Sequence, residues 1–178
     1  MSAPSASPQR FGWVAAAPKK NLVVGMGEML ASNDTQATLV TYSLGSCVGV
    51  TIHDPVAKVG GMLHAMLPDS TINFDRAASR PFMFVDTGLP ALFHSVYALG
   101  GVKQRLVVKL AGGAQFLDEK KIFNIGVRNS DAILAMLQRN GVLASACEIG
   151  GHSSRTLRLN LATGAVTLDM PGEPSRTL

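Results

Sequence analysis

The sequence predicts an α+β domain, a layered sandwich with mostly antiparallel strands. Three observations carry this. Segments with strand-like alternation outnumber helical ones, and most of them are consecutive in the chain, which favours antiparallel pairing with helices laid on a face. A change of hydrophobic period falls in the middle of the chain. The 178 residues, 47% hydrophobic and 16% charged, suit a single core and exclude a disordered polar chain.

Residues 1–20, with Ser2, Pro4, Ser5, Ser7, Pro8 and Pro18, read as a flexible N-terminal arm. The folded domain is expected over 21–170, and 171–178 as a flexible C-terminal tail. Leu22 to Gly27 reads as a strand, and Ser32 to Gln36 as a polar break. Ala37 to Tyr42 is a second strand. Gly45-Ser46-Cys47 is a turn into a third, Val48 to His53. Asp54-Pro55 turns the chain into a fourth strand, Val59 to Leu67, which stops at Pro68. Asp69 to Pro81 is loop-like. Phe84 to Leu99 has helical spacing (Val85, Leu89, Leu92, Phe93, Val96) and ends at Gly100-Gly101, with Pro90 favouring a start near Leu89. Arg105 to Ala111 is a strand. Asn129 and Ser130 are cap candidates for a helix over Asp131 to Arg139, stopped by Gly141. Val142 to Ile149, Thr156 to Leu161 and Ala165 to Asp169 close the fold as strands, the last two joined at Thr163-Gly164.

Composition narrows the function. The net charge of +4 rests largely on Arg10, Lys19 and Lys20, so the body is nearly neutral. A nucleic-acid binder concentrates positive charge on its folded surface and offers stacking aromatics. Neither pattern is present: Lys120-Lys121 runs straight into Ile122-Phe123, and aromatic residues make up 6%. No apolar run approaches the ~18–20 residues of a membrane span. Cys47 and Cys147 form no CxxC pair, and the N-terminus does not read as a secretory signal, so two free thiols in a reducing cytoplasm are expected. No heptad stands out, and a monomer is the expectation.

The chemistry concentrates between Thr41 and His64. Cys47 comes after a Gly-Ser turn between two apparent strands. Such a turn can present a thiol and aim successive backbone N–H groups at one place, the geometry of a nucleophile beside an oxyanion hole. A hairpin turned at Asp54-Pro55 would bring His64 back beside Cys47 as a proton acceptor. The Thr41 hydroxyl could hold the imidazole. The bland alternative is that Cys47 is a small buried apolar residue and His64 a satisfied core histidine.

Other readings fit less well. Gly45-Ser46-Cys47-Val48-Gly49 matches a nucleophile elbow with Cys in place of Ser, but that elbow leads into a helix, and here the chain enters a strand. Cys47, His53, His64 and Cys147 match no familiar zinc spacing. Gly25-x-Gly27 and Gly112-Gly113 lack the rest of a phosphate loop and read as turn or close-packing glycines. Asp86 and Asp131 read as helix-start carboxylates, and His53 as structural.

Leu44-Gly45-Ser46-Cys47-Val48-Gly49-Val50, His53-Asp54-Pro55 and Gly60-Gly61-Met62-Leu63-His64-Ala65-Met66-Leu67-Pro68 together resemble the chemoreceptor glutamine deamidase family, CheD. The resemblance continues through Val85-Asp86-Thr87, Lys109 with Gly112-Gly113-Ala114, Ile125-Gly126-x-Arg128-Asn129, and Gly150-Gly151 with Arg155, spanning residues 22–168. Glu148 stands where the family pattern has Asp, and Ser154 where it has Gly. The resemblance implies a three-layer α/β/α sandwich and a catalytic set of Cys47, His64 and Thr41, with turn and oxyanion support at Gly45 and Ser46. It implies a thiol-dependent hydrolase converting receptor glutamines to glutamate through a thioester, able also to cleave a glutamyl methyl ester. No metal or organic cofactor is implied. The expected partner is the helical cytoplasmic region of chemoreceptors. The alternative from the same resemblance is a non-catalytic adaptor that binds a CheC-type phosphatase.

Overall fold

The computed structural model describes residues 20–115 and 124–178. Of the arm expected over residues 1–20, residues 1–19 lie outside the described residues, as does the Lys120-Lys121 pair, and Lys20 opens the first strand.

In chain order the elements are β1 Lys20–Val23, β2 Met29–Ser32, β3 Ala37–Leu44, β4 Val48–Asp54, β5 Val59–Ala65, α1 Phe74–Ser79, α2 Val85–Ala98, β6 Val107–Gly112, α3 Ile125–Arg139, β7 Ala144–Ile149, β8 Arg155–Asn160, β9 Val166–Asp169 and β10 Arg176–Thr177. They form two five-stranded sheets, β1-β3-β8-β9-β10 and β2-β5-β4-β6-β7. Only β1 with β3 and β6 with β7 pair in parallel among the described strands; the other pairs are antiparallel.

Alternation along the strands builds two cores. Val48, Val50 and Ile52 of β4 and Leu63 and Ala65 of β5 meet Val85, Leu89, Leu92 and Val96 of α2 and Ile133 and Leu137 of α3. The opposite face of the same sheet, through Met62 and Ala111, meets Leu39, Leu44, Leu157, Leu159 and Leu168 of the other sheet. The order of layers is therefore helices, sheet, sheet. The α+β class and the three layers stand, but the third layer is a sheet where the resemblance implied helices.

Several expected elements shift. The strand expected over Leu22 to Gly27 ends at Val23, and a turn over Gly25–Glu28 feeds β2. Within the segment expected as loop, Asn73 caps α1, its side chain accepting from Arg76 N–H. α2 runs through Pro90 from Val85, because its apolar stripe is anchored on β5. α3 begins at Ile125, ahead of the expected cap at Asn129 and Ser130, which lie buried inside it. Residues 171–178, expected as a flexible tail, carry β10, which pairs with β9, and Leu178 packs on the inter-sheet core.

The link between β3 and β4 joins the two sheets. β3 belongs to one sheet and β4 to the other, so Gly45-Ser46-Cys47 carries the chain across the sandwich. A bulge between Thr41 and Leu44, with Ser43 at φ 57°, bends β3 into that crossing. At the far end of the β4–β5 hairpin, the buried Asp54 carboxylate fixes the turn. It accepts from the N–H groups of Val56, Ala57 and Val102 and from the Arg105 guanidinium, which holds its pKa well below the usual carboxylate range.

Candidate active site

Thr41 and His64 come from different sheets and meet between them. Thr41 Oγ1 lies 2.7 Å from His64 Nδ1. Both residues are fully buried. The same hydroxyl donates to the Val24 carbonyl at 2.7 Å. A hydroxyl has one hydrogen, so toward the imidazole it can only accept. His64 therefore carries its proton on Nδ1 and presents Nε2 as a lone pair. Nε2 is buried with no hydrogen-bond partner. Burial pushes the imidazole pKa down to about 4, so the ring is neutral near pH 7.

Cys47 lies on the same inter-sheet face. His64 pairs in register with Gly49 of β4, and Cys47 stands two residues before Gly49, one diagonal step from the histidine. Its half-buried side chain packs against the inter-sheet core that includes Leu44 and Met62. Burial raises the thiol pKa above its ordinary value, while the Cys47 N–H works the other way. The resting pair is thus a neutral thiol and a neutral imidazole.

The Gly45-Ser46-Cys47 turn is held by its carbonyls. Gly45 O accepts from Ala114 N and Cys47 O from Gly113 N, both at 2.8 Å. Ser46 O accepts from Asn129 Nδ2 at 3.0 Å. In a trans peptide the C=O and the following N–H point in opposite directions. Anchoring Gly45 O and Ser46 O this way turns the N–H groups of Ser46 and Cys47 away from the anchors, a geometry suited to binding an oxyanion. Gly112 makes the close approach possible: at φ 118° a Cβ there would stand 2.3 Å from Cys47 O. The reading of Gly112-Gly113 as close-packing glycines matches this contact. The Gly25–Glu28 turn likewise supports His64, Gly27 N donating to His64 O at 3.0 Å and His64 N to Glu28 O at 2.9 Å.

The structure thus joins Thr41 to His64 by a hydrogen bond and places Gly45, Ser46 and Cys47 in the turn that enters the strand paired with that of His64. It separates them from the other candidates. His53 Nε2 is engaged with Leu161 O at 3.0 Å, and Cys147 is exposed on β7. Among the described residues no three His, Cys, Asp or Glu side chains group as a metal site. Asp86 lies in the first turn of α2, as expected of a helix-start carboxylate, and accepts from Ser70 N–H and Oγ–H. Asp131 falls inside α3 and not at its start. Glu148, the departure from the family pattern, pairs with Arg176 at 2.8 Å and lies 3.9 Å from Arg155. A cavity of about 300 Å³ between α2 and α3, lined by Phe93, Tyr97 and Met136, is on the other face of the β4–β5 sheet. Asn129, a helix-cap candidate by sequence, instead reaches the turn from inside α3 through Ser46 O; the Ile125-Gly126-x-Arg128-Asn129 block is the signal that marks it in the sequence.

Residues 66–170 match the family model described as CheD chemotactic sensory transduction. The match starts two residues beyond His64. Curated relatives extend it over most of the chain. "Probable chemoreceptor glutamine deamidase CheD 1" of Syntrophus aciditrophicus is 44% identical over 158 residues, 89% of this chain and 99% of that protein. The proteins named "Probable chemoreceptor glutamine deamidase CheD" of Solibacter usitatus and Desulforamulus reducens are 41% and 48% identical over 86% and 79% of this chain, and 91% and 85% of their own lengths. Among solved structures, a Neisseria meningitidis protein of family-model DUF152 overlays on 75% of this chain and 60% of its own at 11% identity, with a TM-score of 0.37, a likeness too distant to bear on the fold.

Proposed function

The chain belongs to the CheD family, and from that premise we propose that it is a thiol-dependent deamidase of chemoreceptor glutamines. Cys47 is the nucleophile, His64 the proton carrier, and Thr41 the residue that orients it. The observation that carries this reading is the imidazole whose Nδ1 is tied to Thr41 and whose buried Nε2 is without a partner.

Each step uses a group already in place. As the Cys47 sulfur attacks the glutamine side-chain carbonyl carbon, its proton passes to His64 Nε2. Because both groups rest neutral, proton transfer accompanies attack. The carbonyl oxygen becomes an oxyanion, stabilised by the Ser46 and Cys47 N–H groups. His64 returns the proton to the amide nitrogen, the C–N bond breaks, and ammonia leaves a thioester on Cys47. Water then attacks the thioester while His64 takes its proton. The C–S bond breaks, the sulfur recovers that proton, and glutamate is released. A glutamyl methyl ester presents the same acyl group and would leave methanol. None of these steps requires a metal or an organic cofactor.

The test is ammonia release from a chemoreceptor cytoplasmic fragment. The wild-type chain should release ammonia in proportion to glutamate formed, and Cys47→Ala should release none. Equal release by both would overturn the assignment of Cys47.

A further inference from the structure

We propose that Asn129 is a positioning residue that couples the nucleophile turn to the strand end bearing the base. The inference rests on Cys47 and His64 being the reacting pair. The Asn129 side-chain amide donates to Ser46 O at 3.0 Å and to Met66 O at 2.9 Å. One acceptor immediately precedes Cys47 in the chain, and the other lies two residues beyond His64. A single NH2 group therefore ties together the two segments whose spacing sets the thiol–imidazole geometry.

That task dictates the residue type. Two carbonyls sharing one neutral side chain need one group with two hydrogens. A serine hydroxyl has one, and a carboxylate has none. Facing both carbonyls with its nitrogen leaves Asn129 Oδ1 buried and without a partner. Packing alone gives no reason to keep such an atom inside a helix; the two carbonyls do.

The local backbone is shaped for the same contact. α3 approaches the turn at Gly126, where a Cβ would stand 2.4 Å from Gly113 O, and Ser130 Oγ donates back to Gly126 O at 2.8 Å. Gly113 N in turn holds Cys47 O. The first turns of α3 thus reach the nucleophile turn by two routes, through Gly113 and through Asn129.

The experiment measures steady-state kinetics on a chemoreceptor cytoplasmic fragment for wild type, Cys47→Ala, Asn129→Ala and Asn129→Asp, with thermal unfolding of each. Asn129→Ala should lower kcat by about 10- to 100-fold, as misplaced reacting groups do, with KM little changed. Asn129→Asp supplies a readout that a merely structural role would not move. Its carboxyl faces two carbonyl oxygens, so its protonated form is favoured and can donate to one of them, while its ionised form repels both. Its kcat should fall as pH rises through a range where the wild-type value is flat. Should Asn129→Ala fail to fold, that pH profile carries the test alone. Wild-type kcat in Asn129→Ala, or a loss in Asn129→Asp that does not change with pH, would overturn the inference while leaving the reacting pair intact. Wild-type activity no greater than that of Cys47→Ala would instead overturn the reading on which it rests.

Discussion

Thr41 Oγ1 accepts the Nδ1 proton of His64 at 2.7 Å because its own proton is committed to the Val24 carbonyl at the same distance. This relationship selects one tautomer of a buried imidazole and aims the other nitrogen, Nε2, at the inter-sheet face that also carries Cys47. Thr41→Val keeps the shape and removes both bonds. It should lower kcat by about 100-fold or more, the scale of a general base held in the wrong state, while Thr41→Ser keeps most of the activity. Nitrogen NMR of His64 should show the Nδ1-protonated form in the wild type and a mixture in Thr41→Val. A wild-type ring protonated on Nε2 would contradict the assignment.

His64 also makes a prediction about stability. Its pKa is about 4 folded and near 6.5 when exposed. Between those values the unfolded chain binds more protons than the folded one, so stability rises with pH. The contribution is complete above about pH 6.5 and is lost on acidification toward pH 4, to a total of roughly 3 kcal/mol. Denaturant unfolding of wild type and His64→Gln across this range should show a steeper acid loss in the wild type. Parallel curves would mean that the ring is not held neutral.

The thiol should behave as an unactivated one in the free protein. Burial raises the Cys47 pKa, so alkylation should accelerate only at alkaline pH. The check is the rate of iodoacetamide labelling at Cys47 against pH, read out by peptide mass. Rapid labelling that persists into the acid range would indicate a preformed thiolate–imidazolium pair and contradict the coupled proton transfer.

Gly112 is expected to tolerate no side chain. A Cβ would stand 2.3 Å from Cys47 O, on a backbone at φ 118°. Gly112→Ala must move the Gly45–Cys47 turn, and should cost about 1–3 kcal/mol of stability and more activity than a surface substitution of equal cost. Urea unfolding together with ammonia release checks both. Normal kinetics in this variant would show that the turn's position is not critical.

Much of the site is legible in the sequence because it is local. The hairpin from Val48 to Ala65, turned at Asp54-Pro55, sets His64 against Gly49 and hence near Cys47, and alternation alone is enough to suggest it. Thr41 is close in sequence to the same crossing. The place of Asn129 is not legible from local composition, since Asn-Ser ahead of Asp131 has the composition of a helix cap. What places it inside α3 is the docking of Gly126 on Gly113, a long-range contact. The order of layers is hidden for a similar reason. It depends on β3 pairing with β8 and not with β4, which the short Gly45–Cys47 link does not disclose. The Met29–Ser32 strand lacks β-branched residues and is recruited by pairing with β5.

The proposed reaction is attack of Cys47 on a receptor glutamine, which leaves glutamate. Its most direct test is the intact mass of a purified chemoreceptor cytoplasmic fragment after incubation with the wild-type chain or with Cys47→Ala, combined with peptide mapping. Replacing NH2 by OH adds about one dalton at each modified position. Discrete gains at particular glutamines are expected with the wild type and none with Cys47→Ala. An unchanged mass with the wild type, or the same gain with both proteins, would contradict the claim.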